Sequence, residues 1–236
     1  MSIYKITYSE DYRRANLHNF GCNLNCLWCS YRLKGRDRPR EFLDIDRIME
    51  TLHSLDLKRV HLLGGEPTTY PGLAELVDRI KGDLDVVVKI GHSNGTGLPP
   101  PGVDEANVSI KSLDDEVCRT HLGVPIEMIL ENFQAAYDMG IMMDASSVLI
   151  PGLVGVEDIG RIADSLADID DRIPYHVIGY IPVPGAPWRA PSDREVEAAR
   201  ERAARSLRSV TSSAWSPEEL ERPWIRDPRY DSVRVA

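Results

Sequence analysis

Three cysteines lie within eight residues near the start of the chain, at Cys22, Cys26 and Cys29. Three thiolates are one ligand short of the closed shell of four that structural zinc sites use. They are also one short of the four thiolates that usually hold an iron–sulfur cubane, so a cubane bound here would keep one iron open. Because an open coordination position marks a metal site that does chemistry, this spacing predicts a reactive metal centre.

Zinc is the competing interpretation, with His18 or His53 as a fourth ligand. The sequence lacks a second pair of ligands at the spacing of a zinc finger. A disulfide framework fits less well, because secreted disulfide scaffolds are short and cysteine-rich, whereas this chain has 4 Cys in 236 residues. The fourth cysteine, Cys118, lies in a polar segment and is predicted to be an incidental helix residue.

Composition limits the partners and the location of the chain. The net charge of -9 and the pI of about 5.2 disfavour nucleic-acid binding, which normally needs a basic surface. No apolar run approaches the roughly 20 residues of a membrane span. The first five residues lack the apolar region of a signal peptide, so we expect a cytoplasmic protein.

Strand patterns alternate with helix patterns along most of the chain, which predicts a parallel sheet with right-handed crossovers. Periodicity alone leaves an open barrel and a doubly wound sheet as alternatives. Six core strands are predicted, with an extra strand at Ile3–Tyr8 before them: Arg14–Leu17, Val60–Leu63, Val86–Ile90, Asn107–Ile110, Met142–Ile150 and Tyr175–Tyr180. Between the core strands, one helix is predicted to begin with Asp44 as its N-cap, and others are predicted at Leu73–Lys81, Ile126–Met139 and Glu157–Asp168. A further helix is predicted after the core strands, at Asp193–Leu207.

Two short polar motifs each follow a predicted strand. Gly64-Gly65-Glu66-Pro67 combines glycines that allow close backbone approach with a carboxylate, although the same residues also suit an ordinary turn. Ser93-Asn94-Gly95 is equally compatible with a simple Asn-Gly turn. In barrels of parallel strands, sites lie where the strands end, so both motifs and the cysteine segment are expected at one edge.

The segment from Asn19 to Cys29, with an aromatic Trp28 just before the third cysteine, resembles the cluster loop of radical S-adenosylmethionine (SAM) enzymes. The resemblance implies a [4Fe-4S] cluster whose open iron chelates the amino and carboxylate groups of SAM. Reductive cleavage of SAM then gives a 5′-deoxyadenosyl radical that abstracts a hydrogen atom. The implied fold is α/β, a partial (β/α)6 TIM-like barrel at residues 1–209 that ends in a C-terminal helix. An irregular tail, residues 210–236, is expected to pack on this core.

The same resemblance assigns roles to the two motifs. The Gly65 backbone and Glu66 would contact the methionine amino group of SAM. Ser93 and Asn94 look like the family's Thr-Asn-Gly motif with serine in place of threonine. Trp28 would pack behind the cluster and also contact the adenine region.

The second half of the chain resembles pyruvate formate-lyase activating enzymes and related small activase-like proteins. The similar segments are Asn107–Ser112, Thr120–Gly123, Val148–Leu153 and Pro174–His176. By this resemblance Lys111 would pair with the SAM carboxylate and His176 would hydrogen-bond the ribose. A surface lysine and a half-buried strand histidine are the simpler alternatives. Ser109 replaces an aspartate that helps those enzymes bind a monovalent cation.

The resemblance implies hydrogen abstraction from a protein or peptide, with an electron donor such as flavodoxin or ferredoxin. A small metabolite is the alternative substrate, as in the ring contraction that builds deazapurines. The chain lacks the Asp-Gly-Pro-Gly phrase of glycyl-radical activases and the extra cysteines of auxiliary clusters. An alternative from another class is a non-catalytic protein that binds zinc or an inert iron–sulfur cluster.

Overall fold

The computed structural model describes residues 2–34, 39, 41–215 and 232–236. The strands in this part of the chain are β1 (Ser2–Ser9), β2 (Arg14–Phe20), β3 (Arg59–Leu63), β4 (Val87–Ser93), β5 (Glu105–Ser109), β6 (Met142–Leu149), β7 (Tyr175–Gly179), β8 (Val210–Ser213) and β9 (Val233–Arg234). The helices are α1 (Ile45–His53), α2 (Leu73–Asp83), α3 (Asp115–His121), α4 (Ile126–Asp138), α5 (Val156–Ala167) and α6 (Asp193–Ala203).

The strands form one mixed sheet in the order β8-β7-β6-β5-β4-β3-β2-β1-β9. Strands β2 to β8 are parallel and follow one another in chain order. Strand β1 is antiparallel to both β2 and β9. Among the described residues no pairing joins β8 to β9, so the sheet is open rather than closed. This arrangement confirms the predicted partial TIM-like barrel.

The two faces of the sheet differ in chemistry. Alternate residues such as Val60, Val88 and Ala106 are fully buried and share one apolar core with the helices. Because the strands follow one another in order with crossovers of one hand, the helices lie on this outer face. The opposite face, called here the lumen face, carries mainly polar side chains, including Arg59, His61, Lys89, Glu105, Asn107, Asp144, Ser146, His176 and Thr211.

Local capping explains where several helices begin. Asp44 accepts a hydrogen bond from the Arg47 N–H at 2.8 Å and starts α1, as predicted. Helix α4 starts after Pro125, and α6 starts at a capping box between Ser192 and Glu195. The side chains of Asp44 and Ser192 thus satisfy N–H groups that have no partner inside the helix, whereas Pro125 makes no side-chain cap.

The predicted core strands and the helices between them are confirmed, with ends that differ by a few residues. Strand β8 was not predicted, because Val210–Ser213 has one apolar residue and shows no alternating pattern. It pairs in parallel with β7 at the start of the expected irregular tail. Residues 216–231 of that tail lie outside the described residues, and the domain boundary at residue 209 stays a prediction. Within the described chain, no helix has both the length and the apolar character needed to cross a membrane.

Candidate active site at the carboxyl edge of the sheet

The three clustered cysteines lie on the loop that follows β2, called here the cluster loop (residues 21–29). Cys22 is exposed, Cys26 and Cys29 are partly buried, and all three thiols are free. Arg32 Nε donates to the Cys26 carbonyl at 3.2 Å, which holds the middle of the loop. Burial raises the pKa of the Cys26 thiol to about 11, and the two neighbouring cysteines also act to raise it. The three predicted ligands therefore lie on one short loop, where Cys22 and Cys29 both act on Cys26.

The double glycine after β3 lets the cluster loop approach this turn very closely. Gly64 and Gly65 have positive φ angles of 88° and 53°. A Cβ atom on Gly65 would lie 1.9 Å from the Gly21 carbonyl oxygen, and the Glu66 N–H donates to that same oxygen at 2.9 Å. The glycines therefore make room for protein backbone, whereas the sequence left close approach of a ligand and an ordinary turn as the alternatives.

The carboxylate of Glu66 is fully buried and joins two loops. Its Oε1 accepts from Thr68 N at 3.0 Å, from Thr68 Oγ1 at 2.7 Å and from Ser93 Oγ at 3.0 Å. Its Oε2 accepts from Asn94 N at 2.5 Å. Four internal donors thus occupy the side chain that the family resemblance assigned to SAM, so its contact with SAM stays a prediction.

Asn94 connects this junction to the cluster loop. Its Nδ2 donates to Asn23 Oδ1 at 2.9 Å and lies 3.6 Å from Cys22 Sγ. Asn23 Nδ2 in turn donates to Thr96 Oγ1 at 2.8 Å. Ser93 and Asn94 are therefore more than a simple turn: they are buried at the cluster loop. Local sequence contains no signal for the roles of Asn23 and Thr96, because these two residues lie 73 positions apart on different loops.

Lys111 places a cation beside the cluster loop. Its Nζ donates to Ser109 Oγ at 2.6 Å. Burial lowers the pKa of Lys111, while the three thiols of the cluster loop and Glu66 act in the opposite direction. Because its side chain is partly buried and interacts with the thiols of the cluster loop and with Glu66, Lys111 is more than a surface lysine at a strand end.

Trp28 belongs to a cluster of three rings with His121 and Trp188. Its ring centroid lies 5.8 Å from that of His121 and 5.9 Å from that of Trp188, with edge-to-face geometry. His121 and Trp188 are also in contact, at 5.9 Å. The cluster ties the cluster loop to the end of α3 and to the connection after β7. Trp28 is therefore a packing residue, and its contact with adenine stays a prediction.

His176 projects from β7 on the lumen face. Its Nδ1 lies 2.7 Å from Thr211 Oγ1, and its Nε2 lies 3.0 Å from Ser213 Oγ. Both hydroxyls belong to β8, the strand that the sequence did not predict. Hydroxyl groups can switch between donating and accepting, so the histidine keeps a hydrogen-bonding role, and its contact with ribose stays a prediction.

The two histidines considered as a fourth zinc ligand, His18 and His53, contact other groups of the protein. His18 Nε2 lies 3.1 Å from Thr7 Oγ1, and His53 Nδ1 lies 2.8 Å from the Met49 carbonyl. Within the described ranges, no three His, Cys, Asp or Glu residues are arranged to ligate a single metal ion. Cys118 is a residue of helix α3, as predicted; it is also buried, and its thiol donates to the Ser112 carbonyl at 3.4 Å.

The residues present fit an iron–sulfur cluster. Three thiols form the soft donor set that such clusters prefer. The Asn94 amide near Cys22 Sγ and the Lys111 cation supply the outer hydrogen bonding and charge that tune a cluster. Because burial disfavours the charged thiolates, loading the site with iron must release their protons.

Comparisons with known proteins agree with this geometry. A family profile described as the Radical SAM superfamily matches residues 16–166. A putative glycyl-radical enzyme activating enzyme of Methanocaldococcus jannaschii is 24% identical over 189 residues, which cover 77% of this chain and 71% of that protein. A probable GTP 3′,8-cyclase of Thermoplasma volcanium is 28% identical over 134 residues, which cover 52% of this chain but only 40% of that protein.

The crystal structure of Streptococcus suis SuiB bound to precursor peptide SuiA has a similar fold. The TM-score is 0.65 at 18% identity, over 90% of this chain and 51% of SuiB. At this identity the likeness concerns the fold alone. Since the family profile covers well over half of the 236 residues, including every cysteine of the cluster loop, the chain belongs to the radical SAM superfamily, whose enzymes use a [4Fe-4S] cluster and SAM.

Proposed function

We propose that this enzyme cleaves SAM reductively and abstracts a hydrogen atom from a protein or peptide substrate. One observation carries the proposal: the three thiols of the cluster loop meet the Gly65–Glu66 turn, the Ser93–Asn94 segment and Lys111 at one edge of the sheet. This arrangement combines a ligand set for a cluster with one open iron and a cation for a carboxylate.

The residues at this edge have separable tasks. Cys22, Cys26 and Cys29 would hold three irons, and the bound cluster would supply the electron that splits SAM into methionine and the 5′-deoxyadenosyl radical. Lys111 would pair with the carboxylate of the methionine moiety. The Gly65 backbone would face its amino group, while the buried Glu66 carboxylate keeps this turn in place. The protein thus binds and orients, and the cofactors supply the chemistry.

A protein or peptide substrate is supported by two relatives. One is named as a glycyl-radical enzyme activating enzyme, and SuiB was crystallised with a precursor peptide. An electron donor such as flavodoxin or ferredoxin belongs to the same proposal. A small metabolite is the second candidate, because other relatives are named GTP cyclases and the lumen face borders a cavity of about 230 Å³.

The first test is cleavage of SAM by anaerobically reconstituted protein. Dithionite-reduced protein should convert SAM to 5′-deoxyadenosine, measured by liquid chromatography and mass spectrometry. SAM should also change the EPR signal of the reduced cluster. If iron is bound but SAM changes neither the EPR signal nor the products, the proposed activity is wrong.

The second test identifies the substrate class. An extract of the source organism grown in deuterated medium is separated by size into protein and low-mass fractions. The fraction that transfers deuterium into 5′-deoxyadenosine contains the substrate. Transfer from the protein fraction supports the activase-like proposal, and transfer from the low-mass fraction alone supports the metabolite.

Replacing Lys111 with alanine should weaken SAM binding about tenfold or more without loss of iron, because a charged hydrogen bond contributes about 1.5–3 kcal/mol. SAM affinity is measured by equilibrium dialysis on reconstituted protein of known iron content. Lys58→Ala is the matched control. Lys58 is exposed and lies just before the first residue of β3, at the opposite edge of the sheet from the proposed site. Equal SAM affinity of Lys111→Ala and the control would remove Lys111 from the site.

A further inference from the structure

The side-chain amide of Asn94 is held in one orientation by Thr96. Asn94 Oδ1 accepts from Thr96 N at 2.9 Å and from Thr96 Oγ1 at 2.7 Å. A backbone N–H can only donate, so the amide atom that faces Thr96 N must be the oxygen. The NH2 group of the amide therefore points the other way, toward the cluster loop.

This NH2 group has two hydrogens, and the cluster loop offers an acceptor for each of them. Asn94 Nδ2 lies 2.9 Å from Asn23 Oδ1 and 3.6 Å from Cys22 Sγ. Sulfur is larger than oxygen, so its hydrogen bonds are longer. Cys22 Sγ also accepts from Leu24 N at 3.4 Å. The sulfur of this one cysteine thus has a backbone donor and a side-chain donor.

Asn23 closes a ring of side-chain hydrogen bonds. Asn94 Nδ2 donates to Asn23 Oδ1, Asn23 Nδ2 donates to Thr96 Oγ1 at 2.8 Å, and Thr96 Oγ1 donates to Asn94 Oδ1. Each side chain donates once and accepts once, so the three bonds run in one direction around the ring. Hydrogen bonds connected in this way strengthen one another. The Thr96 hydroxyl takes part in two of the three bonds and is therefore the member on which the ring depends.

The backbone around Asn94 is anchored independently of this ring. Asn94 is only 6% exposed, and its N–H donates to Glu66 Oε2 at 2.5 Å. Asn132 of α4 donates through Nδ2 to the Gly95 carbonyl at 2.9 Å. Because neither contact involves the Thr96 hydroxyl, removal of that hydroxyl should leave the segment in place and release only the amide.

A hydrogen bond to a cysteine sulfur affects the redox properties of a cluster that the sulfur binds. Reduction adds one electron to the cluster and makes its sulfur ligands more negative. A donor to the sulfur stabilises this added negative charge, so it raises the reduction potential. Water can also reach the exposed Cys22, but a donor that the protein already holds in place does not have to reorient when the electron arrives.

We propose that Thr96, together with Asn23, orients the Asn94 amide toward Cys22 and thereby raises the reduction potential of the cluster. Thr96 is a positioning residue, because it acts on the Cys22 sulfur through Asn94. The inference rests on the assignment of the cluster to the three cysteines, which is part of the proposed function. It adds a role in the reaction, since the reduction potential determines which electron donors can start SAM cleavage.

The test measures the midpoint potential of the cluster by EPR-monitored titration with dithionite and redox mediators, in the absence of SAM. Thr96→Val keeps the shape and the backbone N–H of the residue and removes the hydroxyl. We expect the one-electron equilibrium to shift about threefold toward the oxidised cluster, a decrease of about 30 mV at 59 mV per tenfold. Thr96→Ser keeps the hydroxyl and should have the potential of the unchanged protein.

Asn94→Ala removes the donor itself and should lower the potential at least as much. Because Thr96 acts through Asn94, adding Thr96→Val to Asn94→Ala should cause no further decrease. Thr51→Val is the matched control, since the Thr51 hydroxyl bonds the Arg47 carbonyl within α1, outside the site. This control should have the potential of the unchanged protein.

The proposal is overturned if Thr96→Val has the same potential as Thr51→Val, or if Thr96→Val lowers the potential equally with and without the Asn94 amide. Iron content and circular dichroism are recorded for every variant. EPR detects only the reduced cluster, so a partly loaded variant still yields a potential. The titration needs neither SAM nor substrate. Failure of SAM cleavage would therefore contradict the proposed function and leave this measurement readable.

Discussion

Cys26→Ala should abolish cluster binding, and 5′-deoxyadenosine formation should fall at least about a hundredfold. Two thiolates cannot hold a cubane, and losing even a residue that supports a metal ligand costs about 10–100-fold in affinity or activity. Cys26 is the middle ligand of the cluster loop, and its carbonyl is held by Arg32. The change should therefore remove the metal and leave the sheet in place.

Iron and sulfide content, together with visible absorbance, measure the loss after anaerobic reconstitution. Cys118→Ala is the matched control, because this thiol is buried in α3 and bonds the Ser112 carbonyl. The control should keep its iron and its brown colour. Full iron content in Cys26→Ala would contradict the assignment of the cluster to these three cysteines.

Glu66→Ala should lower the free energy of unfolding by about 3 kcal/mol or more. The change leaves four donors without their acceptor: two on the partly buried Thr68 and one each on the buried Ser93 and Asn94. Each unsatisfied buried group costs about 1–3 kcal/mol, and water that enters the gap recovers part of the loss. Cluster binding should weaken as well, because Asn94 also contacts the cluster loop.

Urea unfolding followed by circular dichroism measures this effect, and iron content reports on the cluster. Glu131→Ala on the exposed side of α4 is the control and should change stability by less than about 0.5 kcal/mol. The free energy of unfolding of Glu66→Gln should lie between those of the unchanged protein and Glu66→Ala. Glutamine keeps the shape of the side chain, but its amide NH2 group donates and so cannot accept from the neighbouring donors. A stability of Glu66→Ala equal to that of the control would refute the role of Glu66 in joining the two loops.

Glu66 also shows why the site could be only partly predicted. Its motif and its place after β3 were recognisable from local sequence, because two glycines and a carboxylate after an apolar strand form a short-range pattern. The partners of its carboxylate come from Ser93 and Asn94, 27 and 28 residues away. Whether a carboxylate at this position faces a ligand or joins two loops of the protein depends on those distant donors. The local motif does not contain them.

Local sequence was enough to predict the alternation of strands and helices, since period-2 and period-3.6 patterns arise from burial on one side of each element. It also predicted the ligand set, because Cys22, Cys26 and Cys29 lie close together in sequence on a single loop. The family resemblance, rather than periodicity, selected the partial barrel over a doubly wound sheet.

Features that depend on neighbours in space became visible only in the folded chain. Strand β8 is a strand because β7 offers a free edge, and its polar residues carry no periodic signal. His176 meets Thr211 and Ser213 only because that strand forms. The register between β4 and β5 likewise shifts between Ile90 and Ser93, and no local pattern indicates that shift. Pairing and register are set by contacts between distant segments, which local propensity does not encode.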